Sequence, residues 1–226
     1  MTTPGPVARA WWSVTALAVV VAFAVQIPLS AAAAEDALFP TPLSRVLNLF
    51  AFFTIWSNLL VGVVTARLAL GRGLDGLAWR TARLASLVGI TVTFVVYNVA
   101  LRGLLELSPI GAVANELFHS AVPALTVVGW LVFGPRQRTS WRVVAWTPVL
   151  PITWLAVTLV RGAAAGGVYP YPFLDVAELG VVGVALNVVL VGGLFLGLAG
   201  LAHVSDVRLS RRPQRSGASP AGAAET

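Results

Sequence analysis

Six apolar stretches, each long enough to cross a bilayer, divide this chain, and its arginines gather in every second gap between them. The stretches cover roughly residues 10–30, 46–70, 84–101, 112–133, 143–160 and 179–202. A helix rises 1.5 Å per residue, so about 18–20 apolar residues cover a hydrocarbon core of about 30 Å. Backbone polar groups in lipid must find partners within the protein, which makes each stretch a helix. Hydrophobic residues make up 58% of the chain and charged residues 11%, and the mean hydropathy is +0.85. A water-soluble fold of this size would expose far too much apolar surface. The expected fold is all-α: a polytopic integral membrane protein whose six transmembrane helices form one bundle over residues 1–204. Residues 205–226, rich in Pro, Gly, Ser and Ala, are expected to be a disordered cytoplasmic tail.

All 15 basic residues are arginines. With the N-terminus in the cytoplasm, Arg9, Arg67, Arg72, Arg80, Arg83, Arg136, Arg138, Arg142, Arg208, Arg211, Arg212 and Arg215 fall inside. Only Arg45, Arg102 and Arg161 fall outside, a strong positive-inside bias. Six spans then place both termini in the cytoplasm. The net charge of +6 is therefore an orientation signal, reinforced by attraction to anionic lipid, and not the mark of a nucleic-acid partner. The absence of cysteine excludes disulfide and thiol chemistry. A composition with arginine but no lysine, rich in Ala, Val and Gly, fits a GC-rich bacterium and hence a multi-pass protein of the bacterial plasma membrane. Arg9, the first apolar run and LSAAAAED (29–36) also have the layout of a secretory signal peptide. The length of the run, opened by the interfacial pair Trp11-Trp12, favours a retained helix.

The loops are too short for further domains, and no internal repeat is evident. Pro148 and Pro151 lie inside the fifth stretch, where each removes a backbone donor, so a kink is expected there. Gly193 and Gly197 form a GxxxG step on the sixth, read as close packing between helices, with a dimer contact as the lesser reading.

Polar groups inside the membrane are costly and each needs a reason. Thr54, Ser57 and Asn58 share one face of the second span, at i, i+3 and i+4. Tyr97, Asn98 and Arg102 end the third span, and Asn115, Glu116 and His119 share a face near the start of the fourth. Thr54 lies about nine residues, or roughly 13 Å, below the outer surface, and His119 about eight residues, or roughly 12 Å. Topology thus puts a hydroxyl and an imidazole at one depth. Two readings compete. Hydroxyls and amides commonly bond backbone or join helices in membranes. Alternatively, a positioned neutral imidazole activates a Thr hydroxyl as a nucleophile, with Glu116 orienting the ring. His203, at the inner end of the last span beside Asp206, reads as structural.

At these residues the chain resembles a known family. FFTIWSNLL (52–60), FHSAVPALTVVGWLVFGP (118–135) and VRGAAAGGVYPYPFLDV (160–176) are similar to the prokaryotic six-helix "Pr-six-Pr" membrane proteins. Those are relatives of the eukaryotic androgen-induced and androgen-dependent TFPI-regulating proteins. The resemblance runs from about residue 10 to 207. It implies a threonine-type intramembrane hydrolase of fatty acid esters of hydroxy fatty acids, with Thr54 as nucleophile and His119 as base. The chain departs from the pattern at Gly129, where an Asp often stands.

The expected function is therefore a cofactor-free intramembrane hydrolase of lipid-like esters, with membrane lipid and a lipid-like small molecule as partners. Asn58, Asn98 or the freed carbonyls of the kinked fifth span would line the site, and Arg102, Glu116, Arg161, Tyr169 and Asp175 would support it or contact substrate. The alternatives are a small transport or ligand-binding protein, in which Arg102, Glu116, Arg161 and Asp175 form an outer vestibule, and a structural bundle without catalysis. No metal site is expected, because the two histidines lie at opposite faces of the membrane. No nucleotide-binding motif appears. The sequence does not determine the oligomeric state.

Overall fold

The computed structural model describes residues 4–34, 38–72, 75–104, 106–136 and 138–210. Those residues form helices and loops with no strand among them: an all-α bundle. Six helical segments are long and apolar enough to cross a membrane: Pro6–Ala31, Phe53–Leu70, Leu77–Leu101, Pro109–Phe133, Trp141–Ala164 and Val176–Ser210. Large apolar side chains stand on the outside of the bundle, as in Val99, Val160, Val182 and Leu190. This is the surface expected of a multi-pass membrane protein, whose outer face meets lipid.

Among the described residues, these spans and the segments leading into them hold nine α-helices. The first is α1 (Pro6–Ala31). The second contains α2 (Pro42–Asn48), a 3-10 turn at Leu49–Ala51, and α3 (Phe53–Leu70). The third is α4 (Leu77–Val96), ending in a π-turn over Tyr97–Leu101. The fourth is α5 (Pro109–Glu116), a π-turn over Leu117–Ala121, and α6 (Val122–Phe133). The fifth is α7 (Trp141–Trp146) and α8 (Val149–Ala164), and the sixth is α9 (Val176–Ser210). Helix α4 is the hub, packing against α3, α6, α7 and α9. Half of its most apolar window is buried, against 11% for α9, so α9 is a lipid-facing wall. Helix α1 lies along α3, with Val19 3.1 Å from where a Cβ on Gly62 would stand.

Three features differ from the sequence reading. The second span is not one helix: Phe52 is extended (φ −91°, ψ 128°) and breaks it between Ala51 and Phe53. Backbone groups freed at membrane depth must be satisfied by the protein. Trp154 Nε1 and Thr158 Oγ1 donate to the Ala51 carbonyl at 2.9 and 3.3 Å, and Trp56 Nε1 donates to the Phe50 carbonyl at 2.8 Å. Second, α9 continues past Ser205 to Ser210, because Asp206 is buried and anchors the loop before α7. It accepts from the Arg138 and Thr139 amides at 3.0 and 3.2 Å and from the Thr139 hydroxyl at 2.9 Å. The remainder of the expected tail, 211–226, lies outside the described residues. Third, Gly193 and Gly197 pack on no helix among the described residues, where nothing lies within 4 Å of a Cβ at either. The close packing expected there is absent, because α9 turns that face outward.

The fifth span does break, at Thr147–Pro148. The sixth turns at Gly180, whose φ of 64° suits glycine. Gly129, the departure from the family pattern, has a packing reason: a Cβ there would lie 2.5 Å from Trp11 Nε1 and 2.7 Å from the Trp12 ring.

Candidate functional site: a threonine–histidine pair

The break at Phe52 sets the site. It starts α3 anew at Phe53, which puts Thr54 in the first turn of a helix that begins inside the bundle. The first amides of a helix have no carbonyl partner within it. The Phe53 amide donates instead to the Tyr171 hydroxyl at 3.0 Å. The opposite partner comes from the fourth span, where the π-turn over Leu117–Ala121 carries His119. Such turns insert a residue into the helical ladder and re-aim side chains.

Thr54 Oγ1 and His119 Nε2 stand 3.2 Å apart, a hydrogen-bond distance compatible with proton transfer. The other ring nitrogen fixes the tautomer. His119 Nδ1 lies 2.9 Å from the Asn115 carbonyl, which can only accept, so Nδ1 carries the hydrogen. The Nε2 lone pair then faces the Thr54 hydroxyl, which donates to it. Tyr97, from the π-turn ending α4, stacks on the imidazole with centroids 3.9 Å apart at 21°. Its hydroxyl accepts from Asn115 Nδ2 at 2.5 Å. The ring is therefore fixed by Asn115 and Tyr97.

Glu116, expected to orient the ring, does not. Its carboxylate accepts from Arg102 Nη1 and Nη2 at 2.7 and 3.2 Å and from Ser120 Oγ at 2.6 Å. Glu116 precedes Asn115's partner ring by three positions, but its exposed side chain turns outward to the charge that stabilises it. Asn98 accepts from Arg102 Nε at 2.8 Å and donates to the Phe94 carbonyl, so it positions Arg102 and does not line the site. Asn58 is fully buried and joins the two elements: Nδ2 donates to the Thr54 carbonyl at 2.8 Å and to the Phe118 carbonyl at 3.3 Å. Ser57 donates to the same Thr54 carbonyl at 3.1 Å and pairs with Thr93 of α4 at 2.9 Å. Both readings of that polar face therefore hold for different residues: Ser57 and Asn58 bond backbone and helices, and Thr54 meets the imidazole.

The other candidate residues stand apart. Arg161 donates to Asn48 and lies over the Phe39 ring. Asp175 caps α9 through the Ala177 and Glu178 amides at 2.8 and 3.3 Å. Neither is engaged with the Arg102–Glu116 pair, so the four charged residues proposed for a vestibule are held in separate interactions. Tyr169 packs on Gly162, where a Cβ would come within 2.2 Å of its ring. The Val144 carbonyl beside the fifth-span break is taken by the Thr147 amide at 3.1 Å and hydroxyl at 2.7 Å. The Thr147 carbonyl, freed by Pro151, accepts from the Leu150 amide at 3.4 Å, so both carbonyls freed by the prolines are satisfied locally.

Thr54 opens onto a cavity of about 250 Å³ that Tyr97 and Tyr171 also line. Its walls are apolar, among them Val92, Leu155, Val188 and Phe195. It follows α9 inward from the level of Thr54. Tyr171 is the residue that sequence reasoning missed. It is 6% exposed, stacks on Phe173 at 4.9 Å and meets Phe52 and Trp154 edge-on at 5.7 and 5.9 Å. In YPYPFLD, alternating prolines suppress any helical period that would tell Tyr169 from Tyr171. Comparison with known proteins adds nothing to this geometry: no family model, no curated protein and no solved structure matches the chain.

Proposed function

We propose that this chain is an intramembrane hydrolase of lipid-like esters in the bacterial plasma membrane, with Thr54 as nucleophile and His119 as general base. The observation that carries the reading is the Thr54 Oγ1–His119 Nε2 contact of 3.2 Å beside an apolar cavity. The tautomer is the one base catalysis needs. As Oγ1 attacks the ester carbonyl, its proton passes to Nε2. When the tetrahedral intermediate collapses, the imidazolium returns that proton to the departing alkoxide, which leaves as the alcohol. Water then hydrolyses the acyl-threonine by the same base, which restores Thr54 and releases the acid.

The cavity suits the substrate class. An apolar lining with few polar groups at one end favours an acyl chain whose carbonyl rests near Thr54. The resemblance to the Pr-six-Pr proteins points the same way, to fatty acid esters of hydroxy fatty acids. The test is turnover of a branched fatty ester by purified protein. Thr54→Ala and His119→Ala each abolish it, and the double variant is no worse than either, because both disable one step. Thr54→Ser retains part of the rate. Wild-type turnover in a folded Thr54→Ala protein contradicts the assignment.

A further inference from the structure

Tyr171 holds a hydroxyl hydrogen directly beside the Thr54 oxygen. The Phe53 amide donates to its oxygen at 3.0 Å, and the Thr54 amide and hydroxyl also face that oxygen. Amides only donate, and Thr54 gives its one hydroxyl hydrogen to His119, so the phenol accepts from the backbone and its own O–H points to Thr54 Oγ1. The ring is fixed by Phe52, Trp154 and Phe173, so the hydroxyl stays beside Thr54, and once Oγ1 has bonded to the ester carbon the O–H turns to the adjacent carbonyl oxygen. It lines the same cavity as Thr54.

We propose that the Tyr171 hydroxyl donates to the carbonyl oxygen of the ester that Thr54 attacks, which makes it a third catalytic residue; this rests on the hydrolase reading above. No bond to Tyr171 forms or breaks. As Oγ1 bonds to the carbonyl carbon, the π-electron pair moves onto the carbonyl oxygen, and the phenol O–H holds that developing oxyanion until collapse returns the pair. A donor fixed in advance beside an apolar cavity stabilises the transition state more than the neutral ester. The start of α3 adds the positive end of a helix dipole at the same place. Burial pushes the phenol's ionisation up, against the opposing effect of the Thr54 hydroxyl and the two amides. The group therefore stays a donor through the neutral range. The alternative is that Tyr171 only caps the Phe53 amide.

Tyr171→Phe separates the two. A donor role predicts that kcat falls by about 10²–10³ while KM stays put. Affinity for a trifluoromethyl ketone, which adds to Thr54 as a tetrahedral mimic, falls with it, whereas affinity for a non-hydrolysable ether analogue does not. An unchanged kcat overturns the proposal. Because the substitution also removes a cap and can unfold the protein, a second variant is needed. Difluorotyrosine at position 171 keeps the cap and ionises earlier. Its turnover must fall with rising pH where wild type is flat, since a phenolate accepts the amide well but cannot donate; a profile matching wild type overturns the proposal. Wild-type protein without Thr54-dependent turnover overturns the hydrolase reading and this proposal together, whereas failure of the Tyr171 variants to respond overturns this proposal alone.

Discussion

Thr139 and His203 make a second Thr–His hydrogen bond, 2.9 Å long, at the opposite end of the bundle. There the hydroxyl also donates to Asp206 Oδ2 at 2.9 Å, so its proton is committed to a carboxylate and its oxygen accepts from His203 Nδ1. That pair is a latch. At Thr54 the hydroxyl donates to the imidazole, and the carbonyl of Asn115 dictates which nitrogen is bare. The sequence paired Thr54 with His119 by depth and set Asp206 beside His203, but it indicated neither Thr139 nor the Asn115 carbonyl, the groups that decide what each imidazole does. The same limit explains Tyr169. Its role here is to fill the space above Gly162. Gly162→Ala should therefore overpack the contact, at a cost of about 1–3 kcal/mol, and lower both Tm and turnover by shifting the loop that carries Tyr171. Combining it with Tyr169→Ala should recover turnover. A double variant with the stability restored and turnover still absent would instead make Tyr169 a substrate contact.

Hydropathy located all six spans, with ends displaced by as much as seven or eight residues (84 against Leu77, 202 against Ser210), because the cost of polar groups in lipid sets where a span lies and local caps set where it ends. It could not show the break at Phe52. LFAF (49–52) contains neither Gly nor Pro, and the extended residue is stabilised by Trp154 and Thr158, about a hundred positions away. The prolines of the fifth span did mark a break, since loss of a backbone donor is a local property. The break in the second span can be tested through its cap. Trp154→Phe keeps the ring and removes the donor to the Ala51 carbonyl. A buried carbonyl left with the longer Thr158 bond alone should cost about 1–3 kcal/mol. Turnover should fall more than Tm predicts, because the start of α3 and hence Thr54 is displaced. Unchanged thermal unfolding and turnover would mean that the break holds without this cap.

Across the whole molecule, the site lies toward the side that the arginines designate as outer. Arg102 and Glu116, exposed and paired at 2.7 Å, sit there with Arg102 over the Tyr97 ring, and in the proposed reaction they would give water a polar approach to the site. Hydrogen bonding to Glu116 raises the Arg102 guanidinium above its ordinary ionisation range, so that approach stays charged at any physiological pH. The orientation makes its own prediction. In this cysteine-free chain, Ala164→Cys at the end of α8 should react with an impermeant thiol reagent on intact cells, and Ala78→Cys at the start of α4 should not. The reverse pattern would put the site on the cytoplasmic side. The catalytic claim is tested most directly by a fluorophosphonate probe applied to the purified protein, with the adduct mapped by mass spectrometry. The account predicts a single stoichiometric phosphonyl adduct on Thr54 that is lost in His119→Ala. An active protein with no adduct on Thr54, or an adduct that forms equally fast without the imidazole, would contradict it.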